Sequence, residues 1–230
     1  MNEQVNIICL YWVGKFRGRD YTANDVHRLF QSVEKYIDRP FSFYCLTNQV
    51  TADVPGTKIM LKHNWPGWWS KVELFRDDLP AGRTLYMDLD SNAVSGLGPI
   101  LDTPGDLVMF NTRVAKHKAI RSHGLVARYQ AATMLFNPGS LSWVYDKFEK
   151  DPETYMADYR SEQDMYGEWI PNQPCFPDKW LMKADQLRSN QLRPGTIIVT
   201  GNCKHDDFRN PGFAPWLDKL ARGKEEPCTK

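Results

Sequence analysis

The stretch GRTLYMDLDSNAV, residues 82–94, decides how this chain is read. An apolar run, Leu85, Tyr86 and Met87, stops at two carboxylates, Asp88 and Asp90, with one leucine between them. The run predicts a short strand entering a core, and strand residues two apart project to one face. Both aspartates are therefore expected to point the same way. Two like charges that close repel, and burying either without a partner is costly. A cation is expected between or beside them.

Working outward, the segments before this stretch alternate strand and helix signals. VNIICLYW, residues 5–12, is a continuous apolar run, as expected of a strand covered on both faces. Val26, Leu29, Phe30, Val33 and Ile37 then recur at helical spacing, and Thr22 stands three residues before Asp25 like the start of a capping box. Residues 41–47 and 57–61 read as further strands, and residues 63–75 as a Pro/Gly turn leading into a short amphipathic helix. After the aspartates, residues 106–110 and 196–200 read as strands, with helices over 141–148 and 162–169. This alternation predicts an α/β fold, a mostly parallel central sheet flanked by helices. No repeat or linker divides it. Residues 1–215 are read as one domain and residues 216–230 as a charged C-terminal tail.

Charge and cysteine content narrow the classes. With 29 Lys and Arg against 28 Asp and Glu, the whole chain is no polyanion binder. Eight tryptophans and fifteen prolines favour irregular, aromatic-lined loops over a helical bundle. The five cysteines (Cys9, Cys45, Cys175, Cys203 and Cys228) contain no CxxC pair, which argues against a structural zinc site. Their odd number and the polar start MNEQ predict a reducing, cytoplasmic location. No apolar segment approaches the ~20 residues a membrane span needs.

In open parallel sheets, ligands gather beyond the carboxyl ends of the strands, where Asp88 and Asp90 are expected. By itself Asp-x-Asp is a weak motif, and the plainer reading is a pair of aspartates capping a turn. An apolar strand followed by two same-face carboxylates suits a hard divalent ion, Mn²⁺ or Mg²⁺, that leaves positions open for diphosphate oxygens. Haloacid-dehalogenase-type phosphatases also place Asp-x-Asp at a strand end, with the first Asp as nucleophile. They carry Thr or Val where this chain has Asn92, and their motif closes the first strand, whereas several strands precede Asp88.

The ordered set of motifs resembles the nucleotide-sugar glycosyltransferases of GT-A fold related to glycosyltransferase family 8. Residues 7–48 resemble the donor-binding start of that group, and PGWWSKVELFRDDLPAGRTLYMDLDSNAVSGL, residues 66–97, is the most specific match. SEQDMYGEW resembles the family's Asp-Gln-Asp segment, and IIVTGNCKHDDF its late Gly-x-x-Lys-Pro segment. The resemblance runs from about residue 5 to residue 210 in the family's order.

The resemblance implies roles for single residues. Asp88 and Asp90 would ligate the metal, Lys71 would approach a phosphate, and Lys204 would offset charge on the departing diphosphate. Gln163 would lie beside the anomeric carbon and Asp164 would hold sugar hydroxyls; Glu162 stands where the family has Asp. Gln130, in the segment Tyr129-Gln130-Ala131-Ala132, takes the place of an Asn near the donor sugar. Tyr11 or Trp12 would stack on the nucleotide base, with Asn48 close to it, although core packing is the plain alternative for either ring. Relatives carry a histidine ligand just before the late glycine. Here Ile198, Val199 and Thr200 precede Gly201, so His205, Asp206 or water would complete the metal's ligands.

The activity implied is a metal-dependent, retaining transfer of a hexose from a UDP-linked or other nucleotide diphosphate sugar to an acceptor hydroxyl. A non-catalytic sugar- or nucleotide-binding module is the alternative outside enzymes. Between Asp106 and Asp146 there is no acidic residue, while Arg113, Lys116, Lys118, Arg121 and Arg128 fall there with His117 and His123. That stretch is expected either to be a solvated loop or to guide an anionic acceptor, such as a phosphorylated glycan, a lipid-linked saccharide or a modified DNA base. Nucleic acid enters only as such an acceptor.

Overall fold

The computed structural model describes residues 3–16, 21–111, 121–122, 125–126, 129–186 and 192–201 of the 230-residue chain. In chain order these form β1 (Val5–Tyr11), α1 (Ala23–Tyr36), β2 (Phe41–Thr47), β3 (Thr57–Met60), β4 (Thr84–Met87), β5 (Ser91–Ala93), α2 (Gly98–Leu101) and β6 (Leu107–Asn111). There follow β7 (Arg121–Ser122), β8 (Leu125–Val126), β9 (Tyr129–Phe136), α3 (Ser142–Lys150), α4 (Pro152–Asp158), α5 (Glu162–Trp169), β10 (Leu181–Lys183) and β11 (Ile198–Thr200).

β1 lies inside a six-stranded sheet of order β3-β2-β1-β4-β9-β6. It pairs in parallel with β2 on one side and β4 on the other. The expected α/β class and mostly parallel sheet are present; only β9 runs against its neighbours. All seven residues of β1 are buried because both faces are covered. Ile7 and Cys9 pack with Val26, Leu29 and Val33 of α1, while Ile8 and Leu10 pack with Phe75, Val144, Phe148 and Tyr166 on the other face. That explains an apolar run without alternation. Cys9 and Cys45 stand opposite each other in the β1–β2 register as buried free thiols.

The capping box at α1 is formed. The Thr22 backbone N–H donates to Asp25 Oδ2 at 2.9 Å, and the Asp25 N–H donates to the Thr22 carbonyl at 3.0 Å. Asp25 also pairs with Arg28 at 2.9 Å, and the same Arg28 nitrogen donates to the Leu89 carbonyl at 3.1 Å. A local cap therefore reaches across the sheet and holds the turn after β4.

Two expectations are corrected here. Residues 63–75 do not end in an amphipathic helix. Gly67–Phe75 is a 3₁₀ helix whose residues from Trp69 onward are all buried, because α3 and α5 pack against it as well as the sheet. Gly67 adopts φ +57°, and a Cβ there would overlap the Phe16 ring. The second correction is β9, which sequence periodicity missed. All eight of its residues are buried, so no polar face marks it as a strand.

β5, β10 and β11 make a second, three-stranded sheet of order β10-β11-β5. β11 is the core of the strand expected at residues 196–200, and it runs antiparallel to β5. Among the described residues, no helix is long and apolar enough to cross a membrane. The proposed tail, residues 216–230, lies outside the described residues.

The 3₁₀ helix carries a fully buried Glu73. Its carboxylate accepts the backbone N–H groups of Lys62 (2.7 Å) and His63 (3.0 Å) and pairs with buried Arg76 at 2.9 Å. Glu73→Ala would orphan the two buried amides and leave the Arg76 guanidinium with Asp78 as its one remaining carboxylate partner among the described residues. The variant should lose about 3–5 kcal/mol of stability, measured as a lower urea midpoint at unchanged m-value.

Candidate active site

β4 ends at Met87, one residue short of Asp88, and the next residues form a tight turn. The Ser91 N–H donates to the Asp88 carbonyl at 2.9 Å, and the Asp88 N–H donates to the Ala132 carbonyl of β9 at 2.8 Å. Leu89 points into the core on the α1 side and is buried. The leucine between the aspartates is thus the anchor of the turn. Three successive carbonyls are held: Asp88 by Ser91, Leu89 by Arg28, and Asp90 by the Gly201 N–H at 3.0 Å. Strand alternation is therefore not what relates the two carboxylates. A fixed turn mounts them instead, each half-buried at the carboxyl edge of the sheet.

The cation that the two charges demand is Lys71. Its ammonium lies 2.9 Å from Asp88 Oδ2 and 3.3 Å from Glu162 Oε1, with only 7% of the residue exposed. Burial alone would depress the lysine, but the charges of Asp88, Glu162 and Asp90 outweigh it and hold the ammonium above its ordinary value. Asp88 receives a second bond from the Tyr86 hydroxyl, whose pKa is pushed well up by burial and then by the Asp88 charge. Glu162, the first residue of α5, is fully buried. Burial raises its pKa, Lys71 opposes this, and Asp88 adds to it.

Other expected site residues cluster less tightly. Tyr11 ends β1 inside the core, as its packing alternative required. Trp12 is half-buried and donates from its indole nitrogen to Asn64 Oδ1 at 2.8 Å. Asn48 accepts the Val13 N–H at 3.0 Å and donates to the Val13 carbonyl at 2.8 Å. With Thr47, whose hydroxyl bonds the Tyr11 carbonyl at 2.6 Å, it clamps the ends of β1 and β2 together. Since β1, β2 and β4 are parallel, this clamp and the aspartate turn lie along one sheet edge.

Gln130 sits in β9, buried, with Oε1 bonded to no described residue. On α5, Gln163 is half-buried and Asp164 buried. Burial raises the pKa of Asp164 against the opposing charge and backbone N–H of Arg160. Lys204, His205, Asp206 and, apart from the backbone of Arg121, the basic residues Arg113 to Arg128 lie outside the described residues. Among the described residues, no cluster of three His, Cys, Asp or Glu is placed to hold an ion.

Sequence reading missed three contributors. Tyr86 stands two residues before Asp88, and strand alternation offered that signal. Arg28 reads as one more polar position on α1, and Glu162 as a helix-end acid; their partners come from segments 61 and 91 residues away, so no local pattern exposes them.

No protein-family model matches this sequence, and no curated protein matches it. Solved structures do. The galactosyltransferase LgtC, in complex with donor and acceptor sugar analogues, is similar with a TM-score of 0.62 and 14% identity, covering 95% of both chains. The glycosyltransferase GlyE of Streptococcus pneumoniae TIGR4 gives 0.61 at 11% identity, covering 96% of this chain and 63% of its own. The bifunctional glycosyltransferase WbbM gives 0.52 at 14% identity, over 99% of this chain and 45% of its own. At such identities the likeness is one of fold. The chain has the GT-A-type fold of these glycosyltransferases, as the family-8 resemblance implied.

Because Glu162 has a raised pKa, its favourable share of stability is present below the ordinary carboxylate range and is lost as pH rises through its folded value. Lys71→Met removes the charge that opposes this shift. The variant should be about 3–5 kcal/mol less stable than wild type at about pH 8. The deficit should shrink when the pH is lowered to about pH 5, because falling pH favours protonation of Glu162. Urea unfolding at the two pH values checks both statements, and adding Glu162→Gln should restore most of the loss at the higher pH.

Proposed function

We propose that this chain is a glycosyltransferase that moves a hexose from a nucleotide diphosphate sugar, UDP-linked, to an acceptor hydroxyl. The observation that carries the reading is the rigid turn presenting Asp88 and Asp90 at the carboxyl edge of a sheet. Its fold is shared along the whole chain with a galactosyltransferase solved with donor and acceptor sugar analogues.

Asp88 and Asp90 fit a divalent ion, Mn²⁺ or Mg²⁺: both are oxygen donors, and the backbone bonds of their turn fix them before any ligand arrives. Neutralising charge on the diphosphate leaving group is the chemistry such an ion supplies. Lys71 and the Tyr86 hydroxyl hold Asp88 in place, so Lys71 acts on the phosphates through the carboxylate it pairs with. Asp164, buried and met by no side-chain hydrogen bond among the described residues, offers its oxygens to sugar hydroxyls. Gln163 lies next to it, and a solved active-site mutant of LgtC replaces a glutamine by glutamate. Trp12 and Asn48 border the place for the base. Lys204 stabilises the departing diphosphate and His205 supplies a further metal ligand. The acceptor oxygen attacks from the face the diphosphate leaves, so anomeric configuration is retained. The basic residues from Arg113 to Arg128 favour an anionic acceptor.

Asp90→Ala should abolish Mn²⁺-dependent UDP binding in calorimetry while leaving a cooperative unfolding transition. Undiminished affinity in the folded variant, or in excess chelator, would remove the metal from this reading.

Incubated with UDP-, GDP- and TDP-sugars and no acceptor, the protein should slowly release nucleoside diphosphate from one donor class, as water replaces the acceptor. Release of inorganic phosphate from simple phosphomonoesters instead would point to the phosphatase chemistry that Asp-x-Asp also serves.

A further inference from the structure

Two residues beyond Asp90 stands Asn92, in the middle of β5. It is 1% exposed, and neither its Oδ1 nor its Nδ2 has a hydrogen-bond partner among the described residues, Asp90 included. A buried amide with both ends unsatisfied is costly, and most such groups in folded proteins are paired. Its direction follows from the ladder. β5 and β11 pair with Ser91 opposite Thr200, Asn92 opposite Val199 and Ala93 opposite Ile198. The Gly201-to-Asp90 bond continues that register by one step.

Ser91 and Ala93 face the α1 side. The Ser91 hydroxyl bonds that of Thr200 at 2.8 Å, and Ala93 and Ile198 belong to the core built around α1. Alternation along the strand puts Asn92 on the opposite face. Asp88, Asp90 and Asn92 thus supply an oxygen-bearing side chain at every second position of one short stretch, the first two on the turn and the third on the strand that continues it.

We propose that the Asn92 amide oxygen is a further ligand of the divalent ion assigned above to Asp88 and Asp90. This inference rests on that assignment. A neutral amide oxygen is a donor that hard divalent ions accept readily beside carboxylates. It adds a ligand without adding a fourth negative charge to a site that already holds Asp88, Asp90 and Glu162. It also accounts for an amide oxygen that no group among the described residues satisfies.

The test is a titration of the full chain with Mn²⁺, reading free Mn²⁺ by electron paramagnetic resonance, for wild type, Asn92→Leu, Asn92→Asp and Asp90→Ala. Leucine replaces the amide by an apolar group of similar size. Where no protein partner is lost, the urea midpoint should hold or rise, while Mn²⁺ affinity should fall at least about tenfold. Asn92→Asp should be less stable than wild type in chelator, because it buries a further carboxylate. It should regain stability with Mn²⁺, with a larger metal-dependent rise in Tm than wild type shows. Wild-type affinity in Asn92→Leu, with binding lost in Asp90→Ala, overturns the role of Asn92 and leaves the Asp88/Asp90 site standing. Absence of Mn²⁺ binding in wild type overturns both. If Asn92→Leu does not fold, the aspartate variant decides: a metal-dependent Tm rise no larger than that of wild type overturns the proposal.

Discussion

The ammonium of Lys71, buried between Asp88 and Glu162, is the contact on which the arrangement of the site depends. A charge in that position is stable only if its counter-charges arrive from elsewhere in the chain with good geometry. One comes from the turn after β4, the other from the start of α5, and the lysine itself from the 3₁₀ helix between β3 and β4. Three segments are thereby held together at the sheet edge. The interior pair Glu73–Arg76, in the same 3₁₀ helix, anchors its far end to the loop at Lys62 and His63. With two buried ion-paired side chains, Lys71 and Glu73, and aromatic rings around it, the short helix needs no amphipathic pattern to be stable.

Rigidity at the aspartate turn has a different origin from its charge. Leu89 plugs the core, Arg28 bonds its carbonyl, and Gly201 of the second sheet bonds the next one. Arg28 is itself oriented by Asp25, which also closes the cap of α1. A helix start and the Asp88–Asp90 turn therefore share one buried guanidinium. In the proposed transfer this would matter because oxygen donors already fixed in place lose little freedom when charge develops before them.

The two faces of the central sheet divide the work. The α1 face is a conventional aliphatic core of Ile7, Cys9, Val26, Leu29 and Leu85. The opposite face is aromatic, with Trp65 and Trp69 packed on Phe148 and Phe75 on Tyr166, and it carries the buried ions of the 3₁₀ helix, Lys71 and Glu73. The tryptophans that composition alone suggested for loops are in these two cases core residues. Their large flat surfaces fill the space around a helix too short to bury itself with aliphatic side chains.

Much of the fold was legible in the residues themselves. Apolar runs long enough for strands, the helical spacing of Val26 to Ile37 and the Thr22–Asp25 box are local signals that became the elements they predict, whereas the Asp-x-Asp stretch, read by strand alternation, is a turn. The resemblance to GT-A glycosyltransferases also rested on such ordered local motifs, and the fold agrees with it. Tertiary structure alone decided the rest. β9 has no polar face to reveal it, and the antiparallel insertion between β4 and β6 follows from chain connectivity. Lys71 looks like a surface charge until Asp88 and Glu162 surround it, and Asn92 like a turn residue until β11 sets its direction. Period and propensity are properties of neighbours in sequence, whereas the partner of a buried charge or amide is chosen by residues far along the chain.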